Sequence, residues 1–420
     1  MKVGIIGSGG REHAICVSLK KSKKIDKIYC FPGNAGTSFI ADNIEIDLDN
    51  FEKLKKIIQK LKIDIIIIGP EKPLVDGIVD YLEKNQIKVF GPNKTSSQLE
   101  GSKIFTKNLC KKYKIPTANF GVFNDIDKSL SFLKKCKFPI VVKADGLASG
   151  KGVYICENLE SSKDAITEIF DGKFGEANEI LIEEFLEGEE MSFFIISDGT
   201  CYKKFGTAQD HKRVLEGDRG KNTGGMGAYS PSRLENETLD KKILERIIEP
   251  TLEGLKNLET EFVGFLYAGL MIVKGEPFLI EYNVRMGDPE CQTILPRLKT
   301  DFLEVVDATI NKKLGSINLE WFEEKSICIV LCSKGYPDKF QNNVEIKKLE
   351  KIVPKNNNYI FHAGTKLKNS KIYSNGGRVL NFVIKSKNLQ QSRDDLINLI
   401  NDLNWENGYF RKDIGFKVFE

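Results

Sequence analysis

In its first hundred residues the chain alternates short β-branched runs with amphipathic stretches of about 10 to 15 residues. That rhythm permits little besides βαβ units and a parallel sheet wrapped by helices. Lys2 to Ile6 reads as a strand and Arg11 to Lys20 as a helix. Strands follow at Lys27 to Phe31, Ile63 to Ile68 and Lys88 to Phe90, with helices expected over Phe51 to Leu61 and Val75 to Asn85. The unbroken apolar run Ile65-Ile-Ile-Ile68 suits a strand covered on both faces, as parallel strands are.

From about Lys103 the rhythm changes. A helix (Ser102 to Tyr113) gives way to short strands in hairpin-like pairs, an α+β pattern. Phe138 to Lys143 and Gly152 to Cys156 flank a glycine-rich turn; Glu179 to Phe185 and Met191 to Ser197 flank an acidic one. Phe265 to Val273 and Pro277 to Tyr282 bracket Lys274-Gly-Glu276 as a hairpin. A helix to Asn311, strands from Trp321 and a last helix near Arg393 to Leu403 complete the chain, with domain edges expected near 100 and 325.

Composition excludes several classes. The 420 residues carry 63 basic and 59 acidic side chains, a formal charge of +4, so there is no nucleic-acid footprint, although a local basic pocket for phosphates is compatible with it. The nine cysteines are scattered, with no CxxC pair, which predicts reduced thiols and a cytoplasmic protein. No apolar run approaches the roughly 18 residues of a membrane span.

Several segments carry chemistry. Gly7-Ser-Gly-Gly10 follows a strand and opens a helix, which favours an anion near Gly9, Gly10 and Arg11. It is a poor dinucleotide fingerprint, because Glu12 stands where GxGxxG needs its last glycine. Lys143-Ala-Asp-Gly-Leu-Ala-Ser-Gly-Lys-Gly152 is no Walker A loop: no Ser/Thr follows its lysine and no helix follows the turn. A hairpin of this kind can fold over a triphosphate, with Lys143 fixed and Lys151 at the tip. The carboxylate-dense stretch Leu181 to Glu190 interrupts an apolar strand pair, which suits a slot for adenine and ribose as well as it suits a solvated face. Glu281 and Asn283, two apart on a strand, point to one face and offer hard oxygens for Mg²⁺; Arg285 is expected on that face too, against a transferring phosphoryl group. Gln209-Asp-His-Lys-Arg213 and the loop Lys221 to Tyr229 combine basic groups with glycines; His211 reads as a general base or a hydrogen-bonding residue, and His362 as structural.

Together these segments resemble the ATP-grasp superfamily, and within it the phosphoribosylamine-glycine ligase family. The resemblance rests on Gly7-Ser-Gly-Gly-Arg-Glu-His13, Gly69-Pro-Glu-Lys-Pro-Leu74, Lys143 to Gly152, Gln209-Asp-His-Lys212, Asn222-Thr-Gly-Gly-Met-Gly227 and Arg285-Met-Gly-Asp-Pro-Glu290. It implies an α/β and α+β architecture: an N-terminal doubly wound domain (1–102), an ATP-grasp domain (103–325) with a small lobe near 120–190 and a large lobe near 191–325, and a small C-terminal α/β domain (326–420). It also implies that glycine and 5-phosphoribosylamine are joined at the expense of ATP, in a monomer, with Mg²⁺ or Mn²⁺ on Glu281 and Asn283. By the same resemblance Lys107, Lys143 and Lys151 meet the nucleotide phosphates, Glu183, Phe185 and Leu186 line the adenine slot, and Glu190 takes the ribose. Arg285, Lys143 and Asp210 are implied in catalysis; Gly9, Gly10, Arg11, Lys212, Asn222, Gly224, Gly225 and Asp288 in binding substrate. One departure stands out: Ala268 and Gly269 occupy positions where many members carry a further acid, leaving the metal fewer protein ligands. A bicarbonate-using carboxylase and a non-catalytic nucleotide sensor remain as other readings; a nicotinamide-dependent oxidoreductase rests only on Gly7 to Gly10.

Overall fold

The computed structural model describes residues 1–419 apart from 148–151, 176–177 and 353–356. Strands β1 (Lys2–Gly7), β2 (Lys27–Pro32), β3 (Asp42–Asn43), β4 (Ile65–Ile68) and β5 (Lys88–Phe90) form a parallel sheet in the order β3-β2-β1-β4-β5. Helices α1 (Gly10–Leu19), α2 (Phe51–Leu61), α3 (Glu71–Asp76) and α4 (Ile78–Lys84) connect them. The single helix expected over Val75 to Asn85 is two, because Gly77 takes φ +94°, a left-handed conformation that ends α3 and re-aims the chain. The chain steps outward from β1 to β3 and then returns to β4. A crevice therefore opens between the carboxyl ends of β1 and β4.

Period-two alternation buries both faces of this sheet. Val3, Ile5, Ile65 and Ile67 pack in a core with Phe194, Ile327 and Phe382; Ile6, Ile66 and Ile68 pack on the other face with Leu109, Phe193 and Leu266. Each such side chain contributes about 1.5–3 kcal/mol by burial, so the sheet is held rigidly against the rest of the molecule.

Helix α5 (Lys94–Gly101) leads into α6 (Lys103–Tyr113), capped by Ser102, whose Oγ accepts the Phe105 N–H at 3.0 Å. A second sheet follows, formed by β6 (Phe120–Phe123), β7 (Ile140–Ala144), β8 (Val153–Cys156) and β9 (Ile180–Glu184), antiparallel in the order β6-β9-β7-β8. Helices α7 (Ile126–Leu133) and α8 (Leu159–Phe170), which the sequence reading missed, cover it and give it a core of its own.

The largest sheet is antiparallel and runs β16-β15-β10-β11-β14-β17-β21-β18. Its strands are β10 (Glu189–Asp198), β11 (Tyr202–Asp210), β14 (Gly227–Ser230), β15 (Val263–Val273), β16 (Glu276–Asn283), β17 (Lys325–Ser333), β18 (Asn358–His362) and β21 (Arg378–Ser386). Small hairpins β12–β13 (Arg213–Leu215, Arg219–Asn222) and β19–β20 (Thr365–Lys368, Lys371–Ser374) project from it. The last hundred residues thus do not fold apart: β17 pairs with β14, Cys328 opposite Ala228. No described helix is long and apolar enough to cross a membrane, and all nine cysteines are unpaired.

Candidate active site

A cavity of about 750 Å³ lies where the three sheets converge, within the roughly 300–1,000 Å³ usual for small-ligand sites. The crevice between β1 and β4 forms one end. Strands β7 and β9 with the start of α6 form the other; β16, the loop after β13, and Arg378 of β21 close the middle.

At the α6 end, Glu183 is wedged between two lysines. Its Oε1 stands 2.7 Å from Lys107 Nζ and its Oε2 2.7 Å from Lys143 Nζ, all three side chains nearly inaccessible. Burial would raise the Glu183 carboxyl, but Lys143 and Lys107 hold it below the usual range. Expected in the adenine slot, Glu183 lines the cavity beside Phe185 and spends both oxygens on the two lysines. Phe185, Leu186 and Glu190 line the cavity as anticipated, beside the apolar side chains of Val153, Ile155, Met271 and Leu279. Lys151 lies outside the described residues.

Strand β16 delivers Glu281 and Asn283 to the cavity while Tyr282, between them, is buried on the opposite face. Gly269 lies opposite Glu281 in register, so β15 adds no carboxylate, and no cluster of three or more His, Cys, Asp or Glu suited to a metal occurs among the described residues. Burial would raise Glu281, but Lys212, 3.7 Å away, together with Lys143 and Lys103, lowers it. The Asn283 side chain makes no hydrogen bond within the described structure and faces the cavity, so a carboxylate and a free amide oxygen fit a hard cation that takes its remaining ligands from water and phosphate.

Arg285 lines the cavity, with acid partners that the sequence does not reveal. It follows the end of β16, and its guanidinium is gripped by two acids: Nη2 is 2.7 Å from Glu100 Oε1 and Nε is 3.2 Å from Glu71 Oε2. Burial pushes Glu100 up to about 7, whereas Arg285 pulls Glu71 down to about 2. Neither glutamate is recognisable in the sequence as a partner, since both come from the N-terminal helices α3 and α5.

Asp210 ends β11 facing the cavity, with Oδ1 buried and unpartnered. Burial, followed by the charge of Glu290, raises its carboxyl well above the ordinary range. Glu290 is 3% exposed and its Oε1 lies 3.0 Å from Ser192 Oγ. Lys212 sits beside this pair, 3.1 Å from Glu190 Oε2. Asn222 and Gly224 line the cavity; Gly225 does not. With φ +116°, Gly225 packs behind Asp210, where a Cβ would come within 2.7 Å of Oδ1.

The N-terminal turn also departs from expectation. Two of its donors are spent on carboxylates: Gly9 N–H donates to Glu12 Oε2 (2.6 Å) and Arg11 N–H to Asp288 Oδ2 (3.2 Å). The Arg11 guanidinium donates to Glu12 Oε1 at 2.6 Å and to the Met286 carbonyl at 3.2 Å. Glu12 packs against the wall of the crevice between β1 and β4; a Cβ at Gly69 would overlap its Oε1. Gly9, Arg11 and Asp288 line the cavity, but Gly10 faces away, toward Asn381 and Gln292. The turn is thus a wall partly neutralised by its own carboxylates.

Arg378, which the sequence reading missed, donates to the backbone carbonyls of Gly224 and Asp288 and stands 3.5 Å from Asp288 Oδ1. Only its place on β21, within the C-terminal strands of the large sheet, brings it here. His211 uses both ring nitrogens: Nδ1 lies 3.2 Å from the Gly227 carbonyl and Nε2 accepts the Gly415 N–H at 3.0 Å. That leaves it a hydrogen-bonding residue and no general base. His362 packs against His13, whose Nδ1 accepts the His362 N–H at 2.8 Å.

Three family descriptions match the chain in order: phosphoribosylglycinamide synthetase N domain over residues 1–100, its ATP-grasp (A) domain over 101–291 and its C domain over 326–417. Phosphoribosylamine-glycine ligase of Brucella melitensis is 43% identical over 421 residues, covering 100% of this chain and 99% of the relative. That of Caldanaerobacter subterraneus is 44% identical over 420 residues, covering 99% of each. The crystal structure of phosphoribosylamine-glycine ligase from Thermotoga maritima superposes with a TM-score of 0.85 at 34% identity, covering 99% of this chain and 100% of that one. The biotin carboxylase domain of the Hydrogenobacter thermophilus 2-oxoglutarate carboxylase, at 17% identity and TM-score 0.70 over 95% of this chain and 89% of that one, shares the fold.

Proposed function

Because the chain belongs to the phosphoribosylglycinamide synthetase family, we propose that its large cavity seats ATP, glycine and 5-phosphoribosylamine side by side. It is an ATP-dependent phosphoribosylamine-glycine ligase, forming phosphoribosylglycinamide in purine biosynthesis. One observation carries the assignment of sites: the Lys107–Glu183–Lys143 triad, the Glu281–Asn283 pair and the Gly9–Arg11 wall open into one continuous space.

A free carboxylate is a poor electrophile, so the glycine carboxylate oxygen attacks the γ-phosphorus of ATP and ADP departs. The phosphoribosylamine nitrogen then attacks the acyl carbon of glycyl phosphate; the C–N bond forms, inorganic phosphate leaves and the nitrogen loses a proton. The protein's part is positioning and charge neutralisation, and no covalent enzyme nucleophile is needed. Lys107 and Lys143 hold the phosphate tail, with Phe185 and Leu186 at the base and Glu190 at the ribose. Glu281 and Asn283 would hold Mg²⁺ or Mn²⁺, which supplies charge neutralisation on the phosphates when bound.

The acid pair Asp210 and Glu290 suits the glycine ammonium, and Lys212 and Arg285 its carboxylate; the charge pattern is that of a zwitterion. Phosphoribosylamine lies along Gly9, Arg11, Asn222, Gly224 and Asp288. The functional units run 1–102, 103–325 and 326–420, and because one chain builds the whole cavity wall, a monomer suffices. Nine unpaired thiols support a reducing, cytoplasmic setting. ADP release from ATP, Mg²⁺ and phosphoribosylamine, measured with and without glycine, tests the whole reading. Release that ignores glycine, or that requires bicarbonate, would overturn it.

A further inference from the structure

The loop that carries Asn222, Thr223 and Gly224 along the cavity leaves a hairpin that has little to hold its own shape. Strands β12 and β13 are three and four residues long, largely exposed, and out of regular register between Arg213 and Leu215. A two-stranded hairpin of that size is at best marginally stable in water, so its conformation depends on anchors outside it.

Those anchors come from the end of the chain. Arg411 is 0% exposed and forks onto Asp413, with Nε 2.8 Å from Oδ1 and Nη2 2.7 Å from Oδ2. Its Nη1 reaches Asp218 Oδ1 and the Arg213 carbonyl, each at 2.9 Å. Asp413 Oδ2 also accepts the Gly217 N–H at 2.8 Å, and the Tyr409 hydroxyl donates to the Val214 carbonyl at 2.9 Å. Past the hairpin, Gly224 is held at both of its polar groups: its N–H donates to the Tyr336 hydroxyl at 3.0 Å and its carbonyl accepts from Arg378. Thr223 Oγ1 donates to the Lys212 carbonyl at 2.9 Å and accepts the Gly225 N–H at 3.0 Å, which closes the turn. Neither Tyr336 nor Asp413 lines the cavity.

Resting on the reading above that sets phosphoribosylamine against Asn222 and Gly224, we propose that Tyr336 and Asp413 are positioning residues for this substrate. Without touching it, they fix the loop that it meets. The nucleotide end of the cavity, at Lys107, Lys143 and Phe185, is built from α6, β7 and the segment after β9 and receives none of these bonds. A merely structural role predicts something different: a loss that falls on every substrate alike.

Steady-state kinetics of the full chain, with each substrate varied in turn, separate the two. Tyr336→Phe removes one hydroxyl and leaves the ring beside Phe340, so it keeps the test open should Asp413→Asn fold poorly. In Tyr336→Phe the KM for phosphoribosylamine should rise about fivefold, and in Asp413→Asn about tenfold. The KM for ATP, the KM for glycine and kcat should stay within about twofold of wild type, the mark of lost binding without lost chemistry. A wild-type KM for phosphoribosylamine in Tyr336→Phe, or an equal rise for ATP or glycine, overturns the assignment. Absence of glycine-dependent ADP release in the wild-type protein would instead sink the ligase reading on which this one rests.

Discussion

Arg285 and Glu100 form a buried ion pair at 2.7 Å that fastens the exit of β16 to the end of α5. The second Glu100 oxygen accepts the Val284 N–H at 2.8 Å, so one carboxylate fixes both a backbone and a side chain next to the proposed cation ligands. Replacing Glu100 with Ala leaves the guanidinium with the more exposed Glu71 as its remaining acid in contact, beside the Met286 carbonyl. At pH 8 the unfolding free energy from urea titration should fall by about 3 kcal/mol, as for other broken buried pairs. Glu71→Ala should cost under about 1 kcal/mol, because that glutamate keeps 29% of its side chain exposed. Arg285→Ala should lower kcat roughly 10²-fold or more if the guanidinium acts mainly in the transition state. A change confined to KM would identify it as a ground-state binder.

Glu281→Ala removes the carboxylate of the proposed cation pair without touching a packed core, since the side chain faces the cavity. Mg²⁺-dependent turnover should vanish while circular dichroism and the melting temperature stay near wild type. Wild-type turnover at saturating Mg²⁺ would remove Glu281 from the site.

Asp210→Asn tests the ammonium seat. The loss of an acid that accepts from a charged ammonium in a buried site costs about 1.5–3 kcal/mol, so KM for glycine should rise about tenfold or more while KM for ATP holds. Equal shifts for both substrates would mean that Asp210 only shapes the cavity.

All three histidines are buried and kept neutral, with a consequence for acid stability. Burial pulls His13 to about 3, and His362 and His211 to about 4, from the ordinary 6.5. Below pH 6.5 the unfolded chain therefore binds protons that the folded chain refuses until near pH 4. Stability falls across that window, by up to about 1.4 kcal/mol per pH unit for each histidine, and is fully retained above it. His362→Gln should show a shallower loss of urea midpoint between pH 6.5 and 4.5 than wild type. A parallel decline in the two proteins would contradict the assignment.

Much of the architecture was legible because it is local. Period-two and β-branched patterns placed β1, β2, β4, β5, β15 and β16, and Glu281 and Asn283 were readable as a pair from their spacing alone. The helix over 75–85 was misread because Gly77 breaks it, and α7 and α8 were missed in a stretch read only as hairpins. In the site, the residue types were found but their partners were not. Arg285 meets Glu71 and Glu100 only after the chain has travelled through two sheets, and Arg378 comes from the far end of the third.

The sequence by itself determined the parallel N-terminal sheet, the glycine-rich turns and the polar face of β16, since each follows from the stereochemistry of a few adjacent residues. Tertiary structure alone decided which charges are spent and which remain. Glu12 takes up the Gly9 N–H and the Arg11 guanidinium in the crevice beside Gly7 to Gly10, Glu183 ties Lys107 to Lys143, and Lys103 is left without a carboxylate. Charge balance in a buried cavity depends on distances between residues remote in the chain, and only packing sets those distances.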